Sequence, residues 1–259
     1  MLKLLFTGRG LLATVVVLIG VAFLCHLGLW QLDRHFQRAA LNQRVVERMA
    51  LPPTDLDPAL PPEELDYRHV TVRGVFDPSQ EVLLRNRSYA GATGYHVLTP
   101  LRLSDGSGTV LVDRGWVPLS AEDPEQRARY APPAGEVVID GVARQSQSGI
   151  GGPEDPPTGP LMPRLEAWFR VDIERIEQQT GYPLLPVFVE QQPVQGDAVE
   201  PPIPVATEDL GLGSHLGYSF QWFAFAAILV GTYLALVYRQ SQGVPSPRQP
   251  LSTGEGAHS

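Results

Sequence analysis

Five residues near the carboxyl-terminal end, His215, Tyr218, Ser219, Trp222 and Ala226, stand at i, i+3, i+4, i+7 and i+11, the spacing of one helical face. They sit in the apolar run "GSHLGYSFQWFAFAAILVG" (213–231). An imidazole followed by two aromatic rings on one face suits a flat apolar ring system carrying an iron. The histidine would ligate the metal, and Tyr218 and Trp222 would pack on the macrocycle. The competing reading is an interfacial, hydrogen-bonding histidine beside a belt of Tyr and Trp at the lipid headgroup level. Tyr218 suits the belt. Trp222 lies about 10 Å deeper than His215 by helix rise and suits it less well.

A second group stands near residue 30. His26 falls about one turn before the end of an apolar run and could join His215 in a two-histidine site. Trp30, Gln31 and Arg34 follow, in "GLWQLDR". Gln and Arg there could grip a carboxylate or a lipid phosphate; the alternative is an anchor made of a belt tryptophan and a snorkelling arginine. The single cysteine, Cys25, has no second thiol with which to build a soft metal site and reads as a packing residue. Asp113 and Arg114, in "VDRGWVP", could be an acid–base pair but read as a structural ion pair at a strand end. Glu63, Glu64 and Asp66 read as a solvated loop face. The sequence carries no Gly-rich phosphate loop, no H-E-x-x-H and no G-x-S-x-G, so the enzyme classes built on those motifs are excluded and no catalytic residue is expected.

The elements that would position these groups are two long apolar stretches, 11–30 and 216–238. Neither contains Lys, Arg, Asp or Glu, and twenty helical residues reach about 30 Å, the thickness of a hydrocarbon core. The first runs straight into "GLWQLDR" without an Ala-x-Ala box and reads as an anchor rather than a cleaved signal. Residues 191–214 carry four acidic side chains and no basic one, whereas Lys3 and Arg9 precede the first stretch and Arg239 and Arg248 follow the second. The positive-inside rule then puts both termini, 1–10 and a disordered tail 239–259, in the cytoplasm. Arg34, Arg38, Arg44 and Arg48 argue the other way, but a domain of about 180 residues is exported largely regardless of charge. The domain at 31–215 is therefore expected in the periplasm, with no disulfide of its own. A net charge of −8 leaves no basic footprint for nucleic acid.

Residues 31–49 keep helical spacing and are expected to prolong the first membrane helix until "LPPTDLDPALPP" stops it. Strand-like runs follow at 67–76, 81–87, 95–103, 108–117, 136–144 and 185–192, with a turn at 105–108 and a short helix at 171–180. Residues 146–163 read as a Gly/Pro-rich loop, and 200–211 as an extended return to the membrane. The expected fold is α+β: two transmembrane helices flanking an exported, mainly antiparallel β domain, a small barrel or sandwich with short helices.

Five segments in order, "LGLWQLDR" (27–34), "YRHVTVRGVFD" (67–77), "RNRSYAGATGYHVLTPLRL" (85–103), "VLVDRGWVP" (110–118) and "SHLGYSFQWFAFA" (214–226), resemble the surfeit locus protein family (Shy-type in yeast), assembly factors for cytochrome c oxidase. The likeness covers nearly the whole chain from Leu11 to Tyr238. It implies residence in the membrane that holds the terminal oxidase, here a bacterial inner membrane, and help in delivering or retaining haem a while the catalytic subunit matures. Some bacterial members of the family bind haem, and the histidine of their H-L-x-Y motif maps onto His215. The resemblance assigns no chemical role to Gly28, Trp30, Gln31, Arg34, Arg114, Gly115 or Trp116, and none to His26. The implied partners are the oxidase catalytic subunit, a haem a synthase and membrane lipid. The alternative within the same resemblance is a haem-free scaffold that stabilises an oxidase assembly intermediate.

Overall fold

The structure is a computed structural model and describes residues 8–149, 153–159, 163–194, 200–205 and 214–243. The expected amino-terminal segment up to residue 7, the tail from 244, parts of the 146–163 loop and most of the return segment lie outside the described residues. The described chain divides into two compact units, one of 8–42 with 214–243 and one of 43–205.

The helical unit is built from two elements. Helix α1 runs from Gly8 to Met49 without a break, because no proline interrupts it until Pro52 and Pro53. At 1.5 Å per residue it is about 63 Å long, twice a hydrocarbon core, so the expected continuation through 31–49 is present. The second long helix, His215–Ser241, is called α5 below. Both are long and apolar enough to cross a membrane, and both expected spans fall within them. Their outward side chains include Leu12, Ile19, Phe23, Phe220 and Ile228, all exposed. A face of that kind is costly in water and matched to lipid, and the chain reads as a membrane protein.

The other unit is a mixed sheet of eight strands. They are β1 (Thr54–Asp55), β2 (His69–Phe76), β3 (Val82–Tyr89), β4 (Ala92–Leu103), β5 (Thr109–Pro118), β6 (Glu136–Gln145), β7 (Ala167–Trp168) and β8 (Val187–Gln191). Short helices α2 (Pro62–Leu65), α3 (Pro124–Arg127) and α4 (Ile173–Thr180) lie between them. Each of the six expected strand runs contains or overlaps an observed strand. The sheet is mainly antiparallel, as expected, in β2–β4, β2–β6, β3–β4, β4–β5 and β6–β8, but it is mixed, because β1–β2, β3–β7 and β5–β8 pair in parallel. Strands β1 and β7 have two residues each, too few to show a period. Strand β8 reaches β5 only after a crossover through β6 and α4, which local patterning does not reveal.

The pairings form a circuit. Strand β2 pairs with β6, β6 with β8, β8 with β5 and β5 with β4. Strand β4 then returns to β2 through Gly74–Phe76 against Leu101–Leu103. Five strands thus close on themselves, the arrangement of a small barrel. One apolar cluster draws on all five: Val70 and Val72, Leu101, Val110 and Val112, Ile139, and Val187 and Val189. A second cluster packs on the other face of β4, β5 and β8, joining Leu98, Leu111 and Phe188 to Trp168, Ile173 and Ile176 of the α4 region. Strand β5 is therefore buried on both faces, which is why its sequence is a nearly continuous apolar run rather than an alternation. Helix α4 is held by Asp172, which accepts from the Arg175 amide at 3.3 Å, and ends at Gly181 with φ of 77°.

Candidate functional site

The site candidates of the helical unit lie along a seam between α1 and α5. Five contacts define it. Thr14 Oγ1 and Tyr233 Oη are 2.6 Å apart. Gly20 faces Leu229, and Gly28 faces Phe223 so closely that a Cβ there would come within 2.8 Å of its ring. Ser219 Oγ, buried, donates to the Gly28 carbonyl at 2.8 Å. At the far end, His215 Nδ1 lies 2.9 Å from Gln31 Oε1. Residue number falls on one helix as it rises on the other, so the pair is antiparallel, and the glycines let the backbones approach.

His215, Ser219, Trp222 and Ala226 remain on one side of α5. Ser219 and Ala226 are buried, and His215 and Trp222 half-buried. Tyr218, expected on the same face, is 49% exposed. It stands about 60° round the helix from His215 and about 100° from Ser219, so it borders the stripe without entering the seam. The Trp222 indole meets Phe225 edge to face, with ring centroids 6.0 Å apart. His26 is exposed and lies about 200° round α1 from Gly28; the structure does not bring it to His215. Cys25 is a free, half-buried thiol.

The Gln31–Arg34 grip read from sequence separates into two roles. Gln31 is engaged in the seam with His215. Arg34 is exposed, stacks its guanidinium 5.7 Å from the Trp30 ring centroid and donates to Gln37 Oε1 at 3.1 Å. The pairing of Gln31 with His215 was not legible, because 184 residues separate them. One signal was available: His215 and Tyr233 are eighteen residues apart, five whole turns, so α5 carries a polar residue at each end of one stripe.

In the sheet unit, Asp113 and Arg114 do not pair with each other, and the expected ion pair between them is overturned. Neighbouring strand residues point to opposite faces. Asp113 Oδ2 lies 2.9 Å from His96 Nδ1, and Asp113 Oδ1 accepts from the Gly115 amide at 3.0 Å. Arg114 is buried, donating to Glu81 Oε2 at 3.0 Å and to the Tyr130 carbonyl at 2.5 Å, with its guanidinium 5.6 Å from the Phe76 ring centroid. Glu81 also accepts from Thr99 Oγ1 at 2.8 Å. Burial pushes the Glu81 carboxyl up, against the opposing pull of Thr99 and Arg114, and burial pulls the Arg114 guanidinium down, against Glu81. Two desolvated charges that satisfy one another in this way form a structural pair rather than a reactive one. Gly115, at φ of 112°, lets the backbone of Ile203 close on β5, and a Cβ would collide with that carbonyl. Trp116 and Ile203 exchange two backbone hydrogen bonds of 2.8 Å. The Trp116 indole lies over Gly94, whose added Cβ would stand 2.6 Å from Nε1. Of the acidic group read as a loop face, Asp66 is engaged instead, accepting from the Gln145 amide and pairing with Arg144 at 3.4 Å.

A family model described as the SURF1 family matches residues 18–227. Surfeit locus protein 1 of Mus musculus is 30% identical over 217 residues, covering 78% of this chain and 68% of the mouse protein. The human protein of the same name is 29% identical over 235 residues, covering 84% and 75%. An uncharacterized SURF1-like protein of Mycobacterium bovis is 28% identical over 264 residues, covering 94% and 92%. The matched span takes in the His215–Gln31 contact and the whole strand circuit, and the chain belongs to the SURF1 family.

Proposed function

We propose that this chain is a membrane-bound assembly factor for a haem-copper cytochrome c oxidase, and that it carries haem a to the maturing catalytic subunit or retains it there. It acts as a chaperone, without catalysing a bond change. Both termini face the cytoplasm, the sheet unit lies in the periplasm, and the membrane is a bacterial inner membrane. Its partners are the oxidase catalytic subunit and, upstream, the haem a synthase; lipid surrounds the helix pair. Family membership supports the oxidase.

The observation that carries the haem reading is His215. It stands at the first turn of an apolar helix, half-buried, with one ring nitrogen bonded to Gln31. The donor set suits a prechelated iron and no bare ion. A protein-held ion takes three or four side-chain ligands, and no group of three or more His, Cys, Asp or Glu is gathered among the described residues. A macrocycle brings its own four nitrogens, and His215 would supply the one protein ligand it needs. Trp222, half-buried on the same stripe, and Tyr218, exposed at the stripe's edge, would offer aromatic surface to the ring. A hold through one protein ligand would suit cargo that must be handed on.

The reading is tested in cells. In a strain lacking this chain, His215→Ala at wild-type abundance should leave the oxidase catalytic subunit largely without haem a. Oxidase with full haem content in that strain would overturn the haem role and leave the haem-free scaffold.

A further inference from the structure

We propose that Gln31 is the positioning residue for His215: its amide oxygen holds the proton on Nδ1, so that Nε2 carries the lone pair and is the ligating nitrogen. The inference rests on the haem reading for its purpose and on the 2.9 Å contact between Gln31 Oε1 and His215 Nδ1 for its geometry. In a neutral imidazole one nitrogen donates and the other accepts, and the bond made by one decides the state of the other. A carbonyl-type oxygen on Nδ1 therefore leaves Nε2 unprotonated. Histidines that ligate metals commonly make such an outer contact, which fixes both ring orientation and tautomer.

Two further features give the contact its stiffness. Three residues along α1, the Gly28 carbonyl accepts from Ser219 one turn along α5. Phe223 packs on Gly28, where a Cβ would intrude. These contacts set the spacing of the helices at the level of Gln31, so the amide is carried to the imidazole by the seam rather than by a free side chain. The chemistry of the partner also matters. His96 in the sheet unit faces a carboxylate, Asp113, whereas His215 faces an uncharged amide. A carboxylate raises the basicity of a ligating imidazole; an amide orients the ring while leaving the metal bond weaker, as release requires.

The test uses the full chain in lipid nanodiscs, labelled with 15N-histidine, the His215 signals being those missing from His215→Ala. Wild type should show Nδ1 protonated and Nε2 bare. Gln31→Leu should scramble the tautomers and weaken hemin binding by about tenfold to a hundredfold. Gln31→Glu should restore the tautomer and bind hemin more tightly than wild type. A wild-type Nε2–H tautomer, or a Gln31→Leu protein with unchanged tautomer and hemin affinity, would overturn the proposal. If wild type shows the expected tautomer, lost in Gln31→Leu, but binds no hemin, the positioning role stands and the haem reading fails.

Discussion

At the scale of single residues, two buried arrangements in the VDRGWVP segment make sharp predictions. Arg114 and Glu81 satisfy each other out of water, so removing one leaves the other's charge stranded. Arg114→Met should cost about 3–5 kcal/mol of stability, and Arg114→Met with Glu81→Met should recover most of that loss, because an apolar pair needs no compensation. A double-mutant cycle by denaturant titration reads both. Gly115→Ala meets two obstacles at once, a left-handed backbone and the Ile203 carbonyl. It should cost about 3 kcal/mol or more, seen as a lowered melting midpoint and as faster amide exchange at Trp116 and Ile203. These roles were only partly legible in the sequence. That Asp113 and Arg114 are structural could be read from their place in an apolar run. Their partners could not, because Glu81 and His96 are brought to them by strand register, and an adjacent Asp–Arg pair invites the wrong pairing. In the sequence His215 stands out as an imidazole at the mouth of an apolar helix, whereas Gln31 is an ordinary polar residue until the seam is seen.

At the scale of elements, the long helices follow from their apolar runs and from the prolines that end α1, and the six longer strands from alternation or, in β5, from a nearly continuous apolar run. Strands β1 and β7 do not, since two residues carry no pattern and exist as strands only through their neighbours. Between elements, one polar knot is open to a pH test. Asp77, after β2, accepts from Ser79, from Arg102 of β4 at 3.0 Å and from Tyr182, after α4, at 3.1 Å. Burial alone would raise its pKa, but these donors together outweigh burial and hold the carboxyl below its ordinary 3.8, while burial and the nearby Asp77 push the Tyr182 hydroxyl up. The folded state thus favours the carboxylate more than the unfolded chain does. The contribution to stability is complete above the unfolded value and is lost as pH falls through the lowered one. Asp77→Asn should flatten the loss of stability that wild type shows from about pH 5 downward, measured as urea midpoints across that range. An equally steep loss in the variant would assign the acid sensitivity to other carboxylates.

At the scale of the whole molecule, the chain combines a helix pair whose outer surface suits lipid with a strand circuit that has its own apolar interior. The circuit was foreshadowed by short strands at regular spacing, but its closure depends on Gly74–Phe76 meeting Leu101–Leu103, a pairing set by topology. The proposed haem role rests on His215. The measurement that tests it most directly is the optical spectrum of the full chain, purified after co-expression with the haem a synthesis enzymes, for wild type and for His215→Ala. Wild type should carry bound haem a and the variant should lose it. Haem a bound equally by both, or absent from a wild-type protein that still supports oxidase assembly, would contradict that role.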